Sequence, residues 1–504
     1  MSKFMKKILI NKNPWETRAA ILRNNKLLNV FFSSHSVKIL ERCFFKGVVT
    51  KVLPGIQTAF VDIGQERSGF LHITEIDRDL AVSRMLDTVQ LEDSEVKEIK
   101  RHTPLDIGKI FKEGEPVLVQ VSKEPIYEKG AKLTTCFTLP GRFIVLMPNI
   151  PRVGISKKIE DKDEKQRLKD LVKSLLPEGM GAIIRTSSDK MSEKEISKDV
   201  AFLVGTWNSI LEKYNKAKNT EKVYEDIPLS LQIVRDNLDD DIEEVLIDDR
   251  DLQHKVYKFV QGIAPNYSHK IRFWESPPSL FEYYDVEKQI EGALHKKVSL
   301  KSGSSIIVES TEAMTVIDVN TGKFIGKSNL EDTILQTNLE ASEEIVRQLR
   351  LRNIGGLIVI DFIDMATPAN RQKLFTFFEQ TLKEQDKFQS VVLKVSEFGL
   401  LQMTRKRSGK TLIQQLMDTC YTCCGLGVVK TVRTIAYAIL IKFKDEFKSA
   451  KSKNVALIVN PAIFQFLSHI EFNSILELEK LYGGKITLNS KNDLELSEYK
   501  MEVQ

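Results

Sequence analysis

The sequence predicts a multidomain protein that combines α/β and β structure. Short strand patterns follow each other closely between residues 45 and 76, which is typical of a small barrel. Two apolar and mostly β-branched runs, MTVID at 314–318 and LIVID at 357–361, indicate buried parallel strands. With 504 residues, of which 42% are hydrophobic, the chain is long enough for roughly three or four domains with their own cores.

Composition argues against secretion and against a membrane span. The formal net charge is +5, which is mildly basic and does not by itself indicate nucleic acid. The N-terminal segment is basic, but its apolar run stops at Asn11, so it lacks the apolar core of a signal peptide. Three of the five cysteines crowd one loop, which does not suit a secreted disulfide framework. We expect a protein of the reducing cytoplasm without a transmembrane segment.

The first half of the chain is divided by its strand and helix patterns. Alternation of apolar and polar residues over 1–38 predicts a few strands. A small antiparallel barrel with an inserted polar arm at 78–107 is predicted for 39–139. Beyond it, the patterns predict strands at 142–147 and 181–185 and helices near 162–176 and 203–214. The acidic stretch 236–251 is interpreted as a solvated helix face.

Asp318 and Asp361 close the two apolar runs and are the most informative residues of the chain. Between the runs, apolar residues recur at helical spacing: Leu335, Leu339, Ile345, Val346 and Leu349. A strand–helix–strand unit brings both aspartates to the carboxyl ends of parallel strands, where α/β sheets place ligands. Two carboxylates there repel unless a cation such as Mg²⁺ lies between them. Either aspartate alone would be interpreted as the cap of a turn or a helix. The matched pair, however, predicts a metal site.

The strand patterns around residues 45–72 resemble an S1 domain, a barrel of the OB type. Such barrels stack the bases of single-stranded RNA on aromatic side chains and hold its phosphates with basic ones. Phe60 and Phe70 are the predicted stacking residues, with a place in the barrel core as the alternative. The candidate phosphate-binding lysines, each of which would otherwise be interpreted as a solvated surface residue, are Lys46, Lys51, Lys123 and Lys129.

Several longer motifs occur in one order along most of the chain. They are GFLH at 69–72, LMPN at 146–149, EGMG at 178–181, RT at 185–186, VIDVN at 316–320, QLRLRNIGGLIVIDFIDM at 348–365, FGLL at 398–401 and the pair Cys420 and Cys423. Together they resemble the ribonuclease E / ribonuclease G family of bacterial and plastid endoribonucleases. Several long motifs in order are far more specific than one short pattern. In length the chain is closer to the ribonuclease G branch.

The resemblance implies a chemistry for the paired aspartates. Asp318 and Asp361 would hold a catalytic Mg²⁺, and Asn320 would contact the scissile phosphate or the metal shell. The family cuts internal phosphodiesters of single-stranded, A/U-rich RNA and leaves a 5′-phosphate and a 3′-hydroxyl, in ribosomal RNA maturation and messenger RNA decay. Asp364 would face the opposite side if the strand continued past Asp361, and is predicted to be a supporting residue.

The resemblance also implies a pocket that senses a 5′-monophosphate on the RNA. Arg185 and Thr186 match its key side chains, and Gly141 and Val145 match flanking positions. An arginine fork and a hydroxyl suit a terminal phosphate. Without the family pattern, Arg185 would be interpreted as a surface arginine at a strand end.

The family pattern assigns the domains as follows. An S1 barrel at 39–139 and a 5′-sensing region at 140–230 are inserted into a ribonuclease H-like subdomain made of 1–38 and 231–294. A metal-binding, DNase I-like catalytic subdomain at 295–415, a zinc-link at 416–430 and a small C-terminal domain at 431–504 follow. The basic run 404–407 is interpreted with even weight as a phosphate-binding cluster or a solvated loop.

Cys420 and Cys423 form a Cys-x-x-Cys pair, which supplies half of a tetrahedral zinc site. Because no second pair exists in the chain, and because the family completes the site between subunits, we expect a zinc-linked homodimer, with a tetramer of paired dimers left open. Cys424 is either a substitute ligand for Cys423 or a spectator. A thioredoxin-like redox motif is the rival interpretation, disfavoured because no fitting βαβ pattern surrounds the pair.

Two other functions remain as alternatives to a nuclease. One is a non-catalytic RNA-binding protein that works through the S1-type barrel; the presence of both aspartates argues against it. The other is a metal-dependent phosphohydrolase of small molecules; the barrel and its basic residues argue against that.

Overall fold

The computed structural model describes residues 5–36, 39–78, 81, 105–125, 130–321, 330–407, 409–449 and 454–503. The chain forms two compact units, residues 1–412 and 413–504, which are described separately below. Within the described ranges, no helix is both long and apolar enough to span a membrane. Lys129, a predicted RNA-binding residue, lies outside the described residues.

The chain begins with an antiparallel meander of three strands: β1 (Lys6–Lys12), β2 (Glu16–Arg23) and β3 (Lys26–Ser34). Ile8, Leu9 and Ile10 are fully buried at its centre. Successive side chains of a strand point to opposite faces, so burial of all three shows that both faces of β1 are covered.

A closed five-stranded barrel follows. Its elements are β4 (Phe44–Leu53), β5 (Thr58–Asp62), β6 (Gly69–His72), α1 (Ile107–Ile110), β7 (Pro116–Lys123) and β8 (Lys132–Thr134). The order β4-β5-β6-β8-β7 is closed by pairing of β4 with β7. Neighbours are antiparallel except β6 and β8, which run parallel at Phe70 and Lys132. This closed barrel is consistent with the S1-type OB fold.

A layer of two helices on a four-stranded sheet comes next. Its elements are β9 (Leu139–Pro140), β10 (Ile144–Met147), β11 (Val153–Ile155), α2 (Lys162–Leu175), β12 (Gly181–Ile184), α3 (Glu193–Lys216) and β13 (Glu221–Tyr224). The sheet order is β11-β12-β10-β9, whereas β13 pairs with β4 of the barrel. Leu203, Trp207 and Ile210 of α3 are buried in the same core as Leu168 and Val172 of α2.

The next segment returns to the first sheet. It contains α4 (Leu229–Asn237), β14 (Ile242–Ile247), α5 (Arg250–Ile263), β15 (Ile271–Phe273), α6 (Leu280–Tyr283) and α7 (Val286–Leu294). β14 pairs in parallel with β1, giving the order β15-β14-β1-β2-β3. The prediction of one solvated helix face over 236–251 was therefore wrong: Val245, Leu246 and Ile247 are buried in a strand between two helices.

A six-stranded mixed sheet completes the first unit. Its elements are β16 (Lys297–Ser299), β17 (Ser305–Ser310), β18 (Met314–Asn320), α8 (Leu330–Leu351), β19 (Gly356–Asp361), α9 (Pro368–Gln385), β20 (Ser390–Val392) and β21 (Leu400–Arg405). A short helix, α10 (Leu412–Leu416), begins at the last residue of this unit. The order is β16-β17-β18-β19-β21-β20. One face packs on α8 and α9, with Ile317, Ile345 and Phe378 in the shared core. On the opposite face Val316 and Leu357 are 36% and 41% exposed, so that face is open.

The second unit contains α11 (Val432–Ser449), β22 (Asn454–Val459), α12 (Pro461–His469), α13 (Phe472–Tyr482), β23 (Lys485–Ser490) and β24 (Tyr499–Val503). β22 and β23 are parallel neighbours joined through α12 and α13, which makes a βαβ unit. The cysteine pair precedes α11 and does not lie between β22 and α12, so this βαβ unit follows the pair and does not surround it.

Candidate active site

Asp318 and Asp361 are neighbours across two parallel strands. The register of β18 and β19 pairs Asp318 with Asp361, and adjacent strands lie about 4.8 Å apart. Thr315, Ile317 and Val319 of β18 are buried, and the strand alternates, so Asp318 points to the open face of the sheet. β18–α8–β19 is thus the βαβ unit that the sequence predicts, with both carboxylates on one exposed surface.

The two carboxylates are electrostatically costly where they lie. Partial loss of hydration, followed by the negative charges of Asp318 and Asp364, raises the pKa of Asp361 above its ordinary value. Asn320, two residues along β18, donates from Nδ2 to Oδ2 of Asp318 at 2.6 Å and fixes that carboxylate. β19 ends at Asp361, so the strand does not continue to Asp364, and the charge of Asp364 reaches the pair.

The donor set fits a hard divalent cation. Mg²⁺ is bound by one or two carboxylates and fills its remaining positions with water and substrate phosphate. In the described part of the chain, no group of three or more His, Cys, Asp or Glu side chains forms a fuller metal site. The pair Asp318 and Asp361 matches an ion that stays largely hydrated until substrate arrives.

A row of aromatic and basic side chains crosses the barrel. The registers pair Lys51 with Phe60, Phe60 with Phe70, Phe70 with Lys132, and Lys132 with Lys123. Directly opposite residues share a face. Phe60 and Phe70 are only half-buried and are not part of the barrel core, whereas their sequence neighbours Ala59, Val61 and Leu71 are. Lys132, which forms an ion pair with Glu75, was missed because its strand is too short to give a pattern.

Lys46 does not belong to this row. Its Nζ donates to the carbonyl oxygens of Tyr214 at 3.2 Å and Ala217 at 2.9 Å, at the end of α3. A cation near a helix C-terminus satisfies carbonyls that have no partner within the helix. Lys46 therefore anchors α3 to the barrel, and its prediction as a phosphate-binding residue was wrong.

Part of the basic run 404–407 is structural. Arg405 donates from Nε and Nη2 to the carboxylate of Asp386, at 2.6 and 3.1 Å, and from Nη1 to the Ile354 carbonyl at 2.6 Å. Both side chains of the ion pair are at most 2% exposed. Arg405 is committed to holding β21 to the end of α9, so it is not free to bind phosphate.

Arg185 is held at the end of β12 by acceptors from two other segments. Its Nη1 donates to the Gly141 carbonyl at 2.5 Å and to Oδ1 of Asp236 at 2.8 Å. Burial opposes ionisation of Asp236, but hydrogen bonds and charges from Arg235 and Arg185 lower the pKa of that carboxyl. Thr186 lies beside Arg185, and its Oγ1 is 2.9 Å from Oγ of Ser156.

The backbone around Gly141 is organised by a buried carboxylate. Asp199 of α3 accepts hydrogen bonds from the N–H groups of Arg142, Phe143 and Ile144, at 3.1, 2.8 and 3.1 Å. Burial outweighs these bonds and raises the pKa of Asp199. A Cβ at Gly141 would lie 2.5 Å from Oδ2 of Asp199, so only glycine fits there.

The region around Arg185 also contains Val145 and two residues that the sequence did not indicate, Asp236 and Lys387. Val145 is half-buried and pairs with Ile183 of β12. The sequence does not single out Asp236, because it is one of many acidic residues in the stretch 236–251. Lys387, after α9, donates from Nζ to Oδ1 of Asn237 at 2.8 Å, and burial of this ammonium group lowers the pKa of Lys387 to about 8.

Cys420 and Cys423 form a knuckle in the second unit. Hydrogen bonds from the backbone N–H groups of Cys423 and Thr422 lower the pKa of the Cys420 thiol, and Gly427 N–H donates to Sγ of Cys423 at 3.4 Å. Backbone donors around paired sulfurs suit thiolates that bind a metal. Cys424 has a φ of +49° and donates from its thiol to the Tyr421 carbonyl at 3.6 Å.

The chain is similar to known proteins over most of its length. The model of the "Ribonuclease E/G family" matches residues 138–408, which contain both aspartates. Ribonuclease G of Haemophilus influenzae is 38% identical over 96% of this chain and 96% of its own length. The chain belongs to the ribonuclease E/G family. As a member of this family, the chain is an endoribonuclease with a role in RNA processing.

Further relatives support the family assignment over the whole chain. Ribonuclease G of Escherichia coli K12 is 36% identical over 95% of this chain and 96% of its own length. Ribonuclease E of the same organism is 34% identical over 97% of this chain but only 45% of its own length. A second model, "RNase E/G, Thioredoxin-like domain", matches residues 419–504, in agreement with the βαβ unit of the second unit.

Proposed function

We propose that this ribonuclease E/G protein is a Mg²⁺-dependent endoribonuclease of single-stranded, A/U-rich RNA. It favours a 5′-monophosphorylated end, leaves a 5′-phosphate and a 3′-hydroxyl, and acts in ribosomal RNA processing and messenger RNA decay. The observation that carries the proposal is the in-register pair Asp318 and Asp361 on the open face of the sheet.

The side chains around the pair have separate roles. Asp318 and Asp361 hold the cation, and Asn320 fixes the Asp318 carboxylate through a 2.6 Å hydrogen bond. The remaining amide hydrogen of Asn320 is available to a phosphate oxygen. A bound Mg²⁺ supplies an activated water and neutralises the charge that develops on the phosphate.

The barrel row binds the RNA strand. Phe60 and Phe70 stack bases, while Lys51 and Lys123 hold phosphates on either side of them. Stacking on an aromatic side chain contributes about 1–3 kcal/mol per base without a strong sequence preference. Such binding suits an enzyme that selects unpaired RNA.

Arg185 and Thr186 receive the 5′-monophosphate, with Gly141 and Val145 shaping the pocket. Asp236 and the Gly141 carbonyl hold Nη1 of Arg185, so the guanidinium is oriented before the phosphate arrives. A pre-oriented fork loses less entropy on binding than a free side chain.

The larger architecture is proposed on the same grounds. The sheet containing β1–β3 and β14–β15 is the ribonuclease H-like subdomain, and the six-stranded sheet is the DNase I-like catalytic subdomain. Cys420 and Cys423 of two chains share one Zn²⁺ and link a homodimer, with pairing of dimers into a tetramer as the open alternative. None of the five cysteines forms a disulfide, which suits the cytoplasm.

Cleavage of a short 5′-monophosphorylated, A/U-rich RNA tests the proposal. Wild type should make internal cuts with Mg²⁺, whereas Asp318→Asn and Asp361→Asn should bind the RNA and leave it whole. Asp251→Asn, an exposed aspartate on α5, is the matched control and should cut normally. Wild-type binding without cutting would favour the non-catalytic alternative, and cutting by both variants would place the active site elsewhere.

A further inference from the structure

We propose that Phe398 is an RNA-contacting residue of the active site, where its ring stacks on the base of a nucleotide next to the scissile phosphate. This inference rests on the proposed function and adds a base-binding position on the catalytic sheet, apart from the barrel. It follows from the exposure of the ring, the rigidity of its turn and the charges around it.

Phe398 and Phe362 differ strongly in solvent exposure. The side chain of Phe398 is 78% exposed, whereas Phe362, directly after Asp361, is 2% exposed in the core of the catalytic sheet. Phe398 lies two residues before Leu400, which the register of β19 and β21 places opposite Asp361. The turn that carries Phe398 therefore lies at the end of the sheet where the carboxylate pair is placed.

The turn that carries Phe398 is held tightly. The N–H of Gly399 donates to the Ser396 carbonyl at 3.2 Å, and the N–H of Ser396 donates to the Leu400 carbonyl at 2.9 Å. Oγ of Ser396 accepts a further bond from the N–H of Leu400 at 3.1 Å. Three bonds within five residues fix the backbone on both sides of the ring.

The turn is also fixed relative to the active site. The N–H of Phe362 donates to the Gly399 carbonyl at 3.3 Å, which ties the turn to the residue after Asp361. Gly399 has a φ of +74°, and a Cβ there would lie 2.6 Å from the Phe362 carbonyl and 3.2 Å from Oδ1 of Asp364. The backbone that carries the ring is thus fixed, so binding a base would order only the side-chain torsions of Phe398, which lowers the entropic cost.

The charges near Phe398 favour a base and disfavour a phosphate. Glu397 precedes it and is exposed, and Asp364 lies against the turn. Two carboxylates repel the RNA backbone at the turn, whereas a cation that Asp318 and Asp361 would hold would attract a phosphate. An RNA strand with its phosphate at the carboxylate pair would therefore turn a base towards Phe398. A neutral base on an exposed ring is the contact that aromatic side chains make in single-strand binding proteins.

The test combines ring variants with RNAs that lack single bases. Wild type, Phe398→Ala and Phe398→Trp are compared on a 5′-monophosphorylated RNA with one cleavage site. The same RNA is then tested with an abasic nucleotide at each position around that site. Phe202→Ala removes an equally large, exposed ring from α3 and is the matched control. KM and kcat are measured separately, and sedimentation monitors the oligomeric state.

Phe398→Ala should raise KM roughly 5- to 100-fold, and Phe398→Trp should retain most of the wild-type value. One abasic RNA should weaken wild type by a similar factor and Phe398→Ala hardly further. The stacking role would be overturned if Phe398→Ala had the same KM as wild type, or if every abasic RNA weakened Phe398→Ala as much as it weakens wild type. Neither result would contradict the proposed function. The stacking role would also be overturned by a change of oligomeric state in Phe398→Ala without loss of base dependence, since the ring would then serve a protein contact. A wild type that cuts no RNA would instead overturn the proposed function.

Discussion

Removing one charge of the carboxylate pair should stabilise the protein and abolish its cutting. Two unit charges about 5 Å apart repel by about 0.8 kcal/mol in water, and partial burial and salt change this value in opposite directions. The Asp361→Asn variant keeps the size of the side chain and removes this repulsion. Without added Mg²⁺, its free energy of unfolding should exceed that of wild type by about 0.5–1 kcal/mol.

Added Mg²⁺ should make wild type more stable than Asp361→Asn. A ligand that binds only the folded state stabilises it by about 1.4 kcal/mol when its free concentration is ten times its dissociation constant. Wild type should gain this amount, whereas Asp361→Asn, which has lost a ligand, should gain little. Urea unfolding at low ionic strength, with and without Mg²⁺, measures both effects without any RNA.

Three outcomes separate the explanations. Asp251→Asn serves as the control: it should be no more stable than wild type without Mg²⁺, because Asp251 lies in the first turn of α5, where a negative charge is favourable, and it should gain as much stability from Mg²⁺ as wild type does. A loss of stability in Asp361→Asn without Mg²⁺ would refute the claim that the carboxylates repel each other. An equal gain from Mg²⁺ in Asp361→Asn and wild type would refute the assignment of the cation to the pair.

Three further predictions concern other parts of the chain. Arg405→Ala leaves the buried Asp386 carboxylate uncompensated and should lower the free energy of unfolding by about 3–5 kcal/mol in a urea titration; a loss below about 1 kcal/mol would contradict the structural role of the ion pair. Elemental analysis should find one zinc per two chains, lost together with the dimer in Cys420→Ser but retained in Cys424→Ser; one zinc per chain would contradict the shared site. Phe60→Ala should weaken RNA binding by about 1–3 kcal/mol with unchanged stability, whereas a comparable loss of stability would show that Phe60 is a core residue.

The paired strands could be predicted because their signal is local. A short β-branched run followed by aspartate, repeated after one amphipathic helix, predicts two parallel strands whatever surrounds them. The register then confirmed that prediction by placing Asp318 opposite Asp361. The family motifs are local as well, which is why the family assignment was confirmed over nearly the whole chain.

Residues whose roles depend on distant partners could not be predicted in this way. Lys46 looks like any basic residue of an RNA-binding barrel until α3 brings two carbonyl groups to its ammonium. The acidic stretch 236–251 looks solvated, because nothing in it shows that Asp236 will meet Arg185. Phe398 has no periodic neighbours, so only the folded turn shows that its ring is exposed.

The sequence by itself determined the types of the main elements, the pair of aspartates and the family, since apolar periodicity and ordered motifs are written in consecutive residues. Tertiary structure alone decided which charges are satisfied and which side chains remain available. Closure of the barrel aligned Phe60 and Phe70 with lysines from three other strands, and packing buried Arg405 against Asp386. Hydrogen bonds and ion pairs between remote segments depend on how the chain folds back on itself, and no run of consecutive residues contains that information.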